Sequence, residues 1–261
     1  MPQTNRDPDL KRRVAVVTGG AMGIGAQVCE ALAMAGHQVV VADLDFETAA
    51  AIADRLNQVG GQAVALALDV GKPESITQAF AQVERDFGRC DILVNCAGIA
   101  KVFPFLDFPL DNFAATMNVN VTGTLLCSQA AARLMLRSHW GRIVNIASVA
   151  GIRAVGTGRT AYGTSKAAVI ALTRQMAVEL AEHGITTNAV APGPVDTPMT
   201  RMLHSDRFRE DYAKAIPMNR YGTTVEIAAA VMYLVSDAAA YTCGIVLPVD
   251  GGFLASGARG L

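Results

Sequence analysis

Charged residues are scarce in this chain of 261 residues. Asp, Glu, Lys and Arg make up 17% of it, and the formal net charge is -1. Lys and Arg are scattered along the sequence, which argues against the basic surface that a nucleic-acid-binding domain needs. The hydrophobic class reaches 51%, which is typical of a compact protein with a large buried core and argues against disorder.

Cysteine and histidine patterns that would indicate a disulfide framework or a metal site are also lacking. The five cysteines form no Cys-x-x-Cys pair and are odd in number, which favours reduced thiols, packing roles and a cytoplasmic location. The four histidines are far apart and lack metal-ligand spacing, so we interpret each as a surface or helix-end residue and expect no metal. No serine lies in a Gly-x-Ser-x-Gly nucleophile motif.

No apolar run is long enough, without interruption, to predict a membrane span. The most apolar long stretch, residues 227–249, contains Ser236, Asp237 and Thr242. Residues 1–12 are polar and lack the apolar core of a signal peptide, so we interpret them as a flexible arm. No linker divides residues 13–261, which are therefore predicted to form one domain.

Apolar strand-like runs alternate with helix-like stretches along the whole chain. The first four elements make one βαβ unit: a strand at 13–18, a glycine-rich turn, an Ala-rich helix ending at Ala35 and a strand at 38–43. The later strands are also apolar on both faces, which is typical of a parallel sheet covered by helices on both sides. We predict further strands at 63–70, 92–95, 142–147, 186–191 and 244–249, and further helices at 46–59, 74–87, 113–138, 161–180 and 226–236.

The turn after the first strand carries Gly19, Gly23 and Gly25. Glycine lets the backbone turn tightly and lets a phosphate approach the free N–H groups of a helix N-terminus. The spacing is Gly-x-x-x-Gly-x-Gly, which alone is a weak signal, but a strand precedes it and a helix follows it, as a dinucleotide site requires.

Asp43 ends the second predicted strand. A carboxylate there can accept hydrogen bonds from the adenosine ribose hydroxyls and would repel a 2′-phosphate, and Met22 offers no positive charge for such a phosphate. A strand-end carboxylate exposed to water is the alternative interpretation. We therefore predict NAD as the cofactor, with NADP less favoured.

The ends of the next strands supply more candidates for the same edge. Asp69 and Val70 end the third predicted strand, and Asn95, Ala97 and Gly98 come at or after the end of the fourth. Ligands of open α/β sheets bind beyond the carboxyl ends of the strands. Gly98 as a plain turn residue and Asn95 as a structural hydrogen-bonding residue are equally compatible with the pattern.

Tyr162 and Lys166 lie four residues apart in a predicted helix, so their side chains share one face. A free tyrosine titrates near pH ~10, and phenolate chemistry near neutrality needs ~4 kcal/mol of stabilisation. An ammonium at ~4 Å supplies about that much at an effective dielectric constant of ~20. In isolation the pair is more simply a surface helix that carries both residues, but Ser148, at the end of the fifth predicted strand, adds a hydroxyl to the same edge.

With these motifs in this order, the chain resembles the short-chain dehydrogenase/reductase family from about residue 12 to residue 253. The motifs are Thr18-Gly-Gly-Ala-Met-Gly-Ile-Gly25, Asn95-Cys-Ala-Gly98, Ser148, Tyr162-x-x-x-Lys166, Asn188-Ala-Val-Ala-Pro-Gly193 and Asp250-Gly-Gly252. The resemblance implies an α/β fold with a single-domain doubly wound (Rossmann) sandwich, a mostly or wholly parallel central sheet and a homotetramer.

The resemblance also implies roles for individual residues. Tyr162 would be the general acid/base, Lys166 would favour its phenolate form and bind the nicotinamide ribose, and Ser148 would hold the substrate oxygen. Asn120 would anchor a water chain that leads from Lys166 to solvent. The implied cofactor-binding residues are Gly19, Met22, Gly23, Ile24, Gly25, Asp43, Leu44, Asp69, Val70, Asn95, Ala97, Gly98, Tyr162, Lys166, Pro192, Gly193, Val195 and Thr197.

Two departures from the family pattern concern position 96 and the substrate side. Cys96 replaces a common asparagine, and the interval from Ser148 to Tyr162 is 14 residues, one more than expected. We predict a substrate lid at about 196–217. The candidate substrate-binding residues are Ser148, Arg153, Arg159, Met199, Met202 and Leu203, although such methionines more often serve packing and such loop arginines are more often solvated.

Three functions remain open at this point. The first is an NAD-dependent dehydrogenase for a small polyol, diol or other hydroxy compound, with no nucleic-acid or membrane partner. The second is a 3-oxoacyl (ACP or CoA) reductase, because the segment at 139–146 resembles that branch of the family too. The third is a non-catalytic dinucleotide-binding regulator, which would be expected to lack Tyr162, Lys166 or Ser148.

Overall fold

The computed structural model describes residues 12–256, so the predicted arm at 1–12 lies, apart from Arg12, outside the described residues. The strands are β1 (Val14–Thr18), β2 (Gln38–Asp43), β3 (Gln62–Ala67), β4 (Ile92–Asn95), β5 (Gly141–Ile146), β6 (Ile185–Pro192) and β7 (Val246–Val249). The helices are α1 (Gly23–Met34), α2 (Phe46–Gln58), α3 (Pro73–Phe87), α4 (Leu110–Met117), α5 (Gly123–Met135), α6 (Thr160–Leu180), α7 (Pro198–Leu203), α8 (Asp206–Ala215) and α9 (Thr224–Val235).

All seven strands form one parallel sheet in the order β3-β2-β1-β4-β5-β6-β7. The chain starts at the centre, runs outward to β3, returns to place β4 beside β1, and continues outward to β7. The connections that follow β1 and β4 therefore run to opposite faces of the sheet, and a crevice opens between them beyond the carboxyl ends of these strands. The sheet confirms the predicted doubly wound α/β class.

The core has two layers because successive strand side chains point to opposite faces of the sheet. On one face Val17 packs with residues of α1 and α9, including Leu32 and Val231. On the other face Val16 packs with residues of α3 and α5, including Phe80. Both faces of the sheet are thus covered, which explains why its strands are apolar throughout. No helix in the range 12–256 is both long enough and apolar enough to span a membrane.

Cysteines contribute to this packing, as the sequence predicted. Cys29, Cys90 and Cys127 are buried, and the five thiols are all free. Burial raises the pKa of Cys127 to about 12 and that of Cys96 to about 12. Thiols in such surroundings stay protonated and unreactive at neutral pH.

The third strand ends three residues earlier than predicted, at Ala67 and not at Val70. The Leu68 N–H still donates to the Asp43 carbonyl at 2.8 Å. The next N–H, that of Asp69, donates instead to the Ser75 hydroxyl at 3.0 Å. The backbone thus leaves the sheet because a side chain of the following helix supplies the acceptor.

The long helix predicted at 113–138 consists of three segments. Helix α4 ends at Met117, a π-helical turn covers Asn118–Thr122, and α5 continues to Met135. The predicted lid also contains helices that sequence reasoning did not identify, α7 and α8. Thr197 caps α7 in a capping box with Thr200, and Ser205 caps α8, so both short helices begin at residues that satisfy their first N–H groups.

Candidate active site

A cleft of about 380 Å³ opens beyond the carboxyl ends of the strands. It lies at the crevice between β1 and β4 and extends along the ends of β5 and β6. The residues predicted from sequence that line it are Gly19, Met22, Gly23, Ile24, Asp43, Leu44, Asp69, Val70, Ala97, Gly98, Ser148, Tyr162, Lys166, Pro192, Gly193, Val195, Thr197 and Met199. Segments far apart in sequence therefore meet in one site.

The glycine turn forms the floor of the cleft and fits a dinucleotide phosphate. Gly19 has a φ of +66°, and a Cβ there would lie 2.8 Å from the Cα of Ala97, so a side chain would collide with the turn after β4. The N-cap residue of α1, Met22, makes no side-chain capping bond, and the first turn has no acidic residue. The first N–H groups of α1 are thus open to an anion.

Gly25 is the one predicted glycine that does not line the cleft. A Cβ at this position would lie 2.0 Å from the Gly19 carbonyl oxygen. Its role is close packing of α1 against the turn, because no side chain fits between them. Gly25 thus shapes the turn that lines the cleft, and its contact with the cofactor stays a prediction.

Asp43 ends β2 at the wall of the cleft, and the backbone fixes its carboxylate. Its Oδ2 accepts from the Ala21 N–H at 2.9 Å, and its Oδ1 accepts from the Asp45 N–H at 3.1 Å. Among the described residues that line the cleft, Lys166 is the only cation. A ribose with free hydroxyls suits this carboxylate, whereas a 2′-phosphate would meet a negative charge with no arginine beside it.

Asn95 does not line the cleft. It is buried, and its Nδ2 donates to the Ser128 hydroxyl at 3.0 Å and to the Asn145 Oδ1 at 2.9 Å. Asn145 in turn donates to the Thr173 hydroxyl of α6 at 2.9 Å. The side chain of Asn95 therefore connects β4 to β5 and α5, which corresponds to the structural alternative.

Tyr162 and Lys166 lie on successive turns of α6 and face the same cleft. The Lys166 Nζ is 5.8 Å from the centroid of the Tyr162 ring. Lys166 is only 6% exposed, and its Nζ donates to the carbonyl oxygen of Ile146, the last residue of β5, at 2.7 Å. This bond uses one of the three ammonium donors and fixes a positive charge beside the phenol.

Ser148 lies two residues beyond β5, where it caps the short 3₁₀ turn Val149–Gly151. Its Oγ accepts from the Ala150 N–H at 3.1 Å. The hydroxyl hydrogen thus remains available as a donor in the cleft, which it lines together with Tyr162 and Lys166. A hydroxyl, a phenol and an ammonium consequently share one wall of the cleft.

Asn120 lies in the π-helical turn and joins the loop after β4 to α6. Its Oδ1 accepts from the Ile99 N–H at 2.8 Å, and its Nδ2 donates to the Ile99 carbonyl at 3.0 Å and to the Ser165 hydroxyl at 2.9 Å. A Cβ on Gly98 would lie 3.2 Å from the Asn120 Oδ1 and 3.6 Å from the Lys166 Nζ. Gly98 thus leaves space between the amide and the ammonium.

Four of the six predicted substrate residues lie outside the cleft. Ser148 and Met199 line it, Arg153 and Arg159 line a second pocket together with Ala150 and Gly163, and Met202 and Leu203 line neither. Met202 is 85% exposed, so the prediction that it contacts substrate is not supported by this geometry. Arg159 contacts His204, which is buried and is the C-cap residue of α7, a helix-end position as predicted.

Sequence reasoning missed several apolar residues of the cleft wall. They are Leu68, Cys96, Ile99, Val119, Ile146, Ala147 and Pro198, together with polar Thr200. Leu68, Cys96 and Ala147 directly follow the end of a strand, which is the one signal that would have found them. In the part of the chain that the structure describes, no group of three or more His, Cys, Asp or Glu side chains is placed to hold a metal ion.

Comparison with known proteins extends over nearly the whole chain. Residues 19–254 match the family model described as enoyl-(acyl carrier protein) reductase. A 3-oxoacyl-[acyl-carrier-protein] reductase of Aquifex aeolicus is 39% identical over 244 residues, which are 93% of this chain and 98% of the relative.

Two solved structures are similar in both sequence and fold. A short-chain type dehydrogenase/reductase from Mycobacterium marinum is 37% identical, with a TM-score of 0.89 and coverage of 94% of this chain and 96% of that one. A gluconate 5-dehydrogenase from Burkholderia cenocepacia, in complex with NADP and tartrate, is 34% identical, with a TM-score of 0.90 and coverage of 95% and 100%.

Proposed function

The chain belongs to the short-chain dehydrogenase/reductase family, and we propose that it transfers a hydride between NAD(H) and a secondary alcohol/ketone pair. The observation that carries this proposal is the shared cleft wall of Ser148, Tyr162 and Lys166. Small hydroxy compounds are the proposed substrates. When bound, the nicotinamide supplies the hydride chemistry, and the protein supplies orientation and electrostatics.

The side chains handle the proton and the substrate oxygen. In the oxidation direction the Tyr162 phenolate accepts the hydroxyl proton of the substrate, and in reduction the phenol returns a proton to the carbonyl oxygen. The fixed Lys166 ammonium stabilises the phenolate. The Ser148 hydroxyl donates to the substrate oxygen and stabilises its developing charge, while Asn120 keeps its proposed place in a water chain from Lys166.

The proposed preference for NAD rests on Asp43. Its carboxylate is held at the cleft wall by two backbone N–H groups. The Burkholderia cenocepacia enzyme contains NADP, so relatives of this chain do not share one cofactor form. The negative charge of Asp43 at the cleft wall is the feature that supports a preference for NAD over NADP in this chain.

A 3-oxoacyl reductase is the alternative function, favoured by the similarity to the Aquifex aeolicus protein. Both functions use the same catalytic side chains and differ only in the substrate. A non-catalytic dinucleotide-binding regulator has no support from the site, because Ser148, Tyr162 and Lys166 all face the cleft.

The remaining features of the proposal concern the whole protein. We infer a single dehydrogenase domain at 13–261 with a lid at about 196–217, a cytoplasmic location and a homotetramer. Exposed apolar side chains on α4 and α6, including Leu110 and Val178, are available for contacts between subunits. Sedimentation would test the tetramer directly.

Tyr162→Phe is the decisive variant for this function. Because general acid/base catalysis contributes ~10²–10⁴-fold to the rate, we expect kcat to fall by about that factor while NADH still binds. Turnover is measured with secondary alcohols and ketones, and NADH binding by fluorescence. Tyr233→Phe is the matched control, since its hydroxyl contacts Thr242 on the surface. Near-normal turnover in Tyr162→Phe would refute the mechanism.

A further inference from the structure

Arg159 is held by a neutral side chain and not by a carboxylate. Its Nη2 lies 2.7 Å from His204 Nε2, and His204 Nδ1 lies 3.0 Å from the Tyr221 hydroxyl. A guanidinium can only donate, so Nε2 accepts, and Nδ1 carries the hydrogen and donates to Tyr221. Burial, with the charges of Arg159 and Arg209, lowers the pKa of His204 to about 4, so the ring is neutral at neutral pH.

The charge of Arg159 is consequently fixed in place without being neutralised. Among the ion pairs of the described residues, none includes Arg159 or Arg153. The nearby carboxylate, that of Asp196, is already bonded to Arg201 at 2.8 Å and to Arg209 at 2.9 Å. The lid therefore compensates two of its arginines and leaves Arg159 without a counter-ion.

Arg159 lies close to the catalytic tyrosine. It is the N-cap residue of α6, three residues before Tyr162, and the Gly163 N–H donates to its carbonyl at 2.8 Å. Burial raises the pKa of Tyr212 to about 12, with Arg159 and Arg153 acting to lower it and Tyr162 to raise it. Arg159 and Gly163 line the second pocket, whereas Tyr162, which lies between them in sequence, lines the cleft.

One aromatic ring, that of Phe253, packs against the second of these cations. The Arg153 guanidinium lies 4.9 Å from the centroid of the Phe253 ring, and that ring packs against Tyr212 at 5.6 Å. Tyr212 also packs against Phe208 and Tyr221. Arg153 is itself exposed, so its charge is open to an anion that arrives from solvent.

We propose that Arg159, with Arg153 as a second cation, binds a carboxylate of the substrate, so that the enzyme acts on small hydroxy or oxo acids. A guanidinium presents paired donors that match a carboxylate, and a substrate acid would supply the missing counter-ion. His204 and Tyr221 are positioning residues that hold the guanidinium in place. The inference rests on the proposed function and specifies its substrate class.

Matched substrates separate this inference from the function on which it rests. Turnover is measured for hydroxy acids of four to six carbons and for the amide of each, which differ mainly in charge. For the wild type we expect kcat/KM to be at least ~10-fold higher for the acids than for the amides. Arg159→Met should lower kcat/KM for the acids by ~10- to 100-fold, as expected for loss of a charged hydrogen bond. The same variant should change kcat/KM for the amides by less than ~3-fold. Arg207→Met, an exposed arginine on α8, is the control and should change neither.

His204 variants test the positioning role. His204→Leu should raise KM for the acids and change kcat little, because it releases the guanidinium but leaves Tyr162 intact. His204→Gln retains a side-chain acceptor and should restore much of the KM. A fall in kcat with unchanged KM in both variants would contradict positioning of the substrate-binding arginine.

A binding measurement makes the inference testable without turnover. Tartrate, a dicarboxylic hydroxy acid, is titrated calorimetrically into the full chain in the presence of NADH, and Arg159→Met should weaken its binding ~10-fold or more. Three outcomes would each overturn the acid-binding role. They are equal kcat/KM for acids and amides in the wild type, equal losses of kcat/KM on both in Arg159→Met, and tartrate binding that does not depend on Arg159. Failure of all secondary alcohols to react, with tartrate binding intact, would instead refute the proposed function.

Discussion

Asp43 is the side chain on which the proposed preference for NAD rests. Its carboxylate accepts hydrogen bonds from the Ala21 and Asp45 N–H groups, so it cannot swing away from the cleft wall without losing them. A fixed negative charge repels a phosphate more effectively than a mobile one, since no rotamer change relieves the repulsion. The selectivity is therefore expected to depend on charge more than on shape.

Replacement of Asp43 by asparagine should shift the ratio of kcat/KM for NAD to that for NADP by ~10- to 100-fold toward NADP. A unit repulsion near 4 Å is worth ~1–4 kcal/mol between dielectric constants of 80 and 20, which is the basis for that range. Asparagine keeps one acceptor oxygen, so the turn stays supported. Initial rates with each cofactor provide the measurement.

Asp45→Asn is the matched control for this change. Asp45 lies outside the cleft wall and caps α2 by accepting from the Thr48 N–H. The Asp45→Asn substitution therefore removes a similar charge from a neighbouring position. A cofactor ratio that stays unchanged in Asp43→Asn, or that shifts equally in Asp45→Asn, would contradict the ribose role of Asp43.

At the scale of elements, α9 packs against α1, the helix that follows the glycine turn. Its buried face, including Ile227 and Val231, packs in the same core cluster as Val28 and Leu32 of α1. Its first turn is closed by a capping box, in which the Thr223 hydroxyl accepts from the Glu226 N–H and the Glu226 carboxylate accepts from the Thr223 N–H at 2.7 Å. The start of α9 is thus well defined, although it lies far from the chemistry.

Thr223→Ala should lower the free energy of unfolding by ~1 kcal/mol, because loss of an N-cap side chain leaves a helical N–H without its partner. For a chain of this size that corresponds to a fall in Tm of ~2–4 °C. Thr223→Ser keeps the hydroxyl and should retain most of the stability. Thermal unfolding followed by circular dichroism measures both, and kcat should not change.

The element boundaries that differ from prediction have local physical causes. Alternation of apolar runs could not reveal that the Asp69 N–H binds Ser75, which ends β3 early. Helix propensity could not distinguish a continuous helix from one with a π turn at Asn118–Thr122, since the same residue types suit both. Helices α7 and α8 are short and polar, so their caps at Thr197 and Ser205 are stronger signals than their periodicity.

For the whole molecule, the lid brings together groups that respond to pH. Burial lowers the pKa of His204 to about 4 from an ordinary value of 6.5. Hydrogen bonds from Arg201, with Arg209, lower the pKa of Asp196 to about 2 from 3.8. In both cases the unfolded chain binds more protons than the folded one, so stability increases with pH across these windows.

Acidification from pH 6.5 to 4 should therefore lower the Tm of the wild type. The Tm of the His204→Gln variant should fall less over the same interval. Protonation of the unfolded histidine drives the effect, and the variant removes that histidine. The measurement is Tm as a function of pH for both proteins. His183→Gln, at an exposed histidine, is the control and should follow the wild type. Parallel curves for wild type and His204→Gln would contradict the role of His204.

The sequence by itself determined the class of fold and most of the residues that line the cleft. Strands that are apolar on both faces require cover on both sides, and parallel strands bring their carboxyl ends to one edge. Gly19, Asp43, Ser148 and Tyr162 could therefore be assigned to the same site, because each lies in or near the segment that follows a strand or begins a helix.

Only the tertiary structure decided which neighbouring groups the side chains meet. Asn95 points into the sheet toward Ser128 and Asn145, and no local pattern distinguishes that direction from one toward the cleft. Arg159 meets His204, 45 residues away. Contacts of this kind depend on packing between segments distant in sequence, and such packing has no periodicity that a sequence can display.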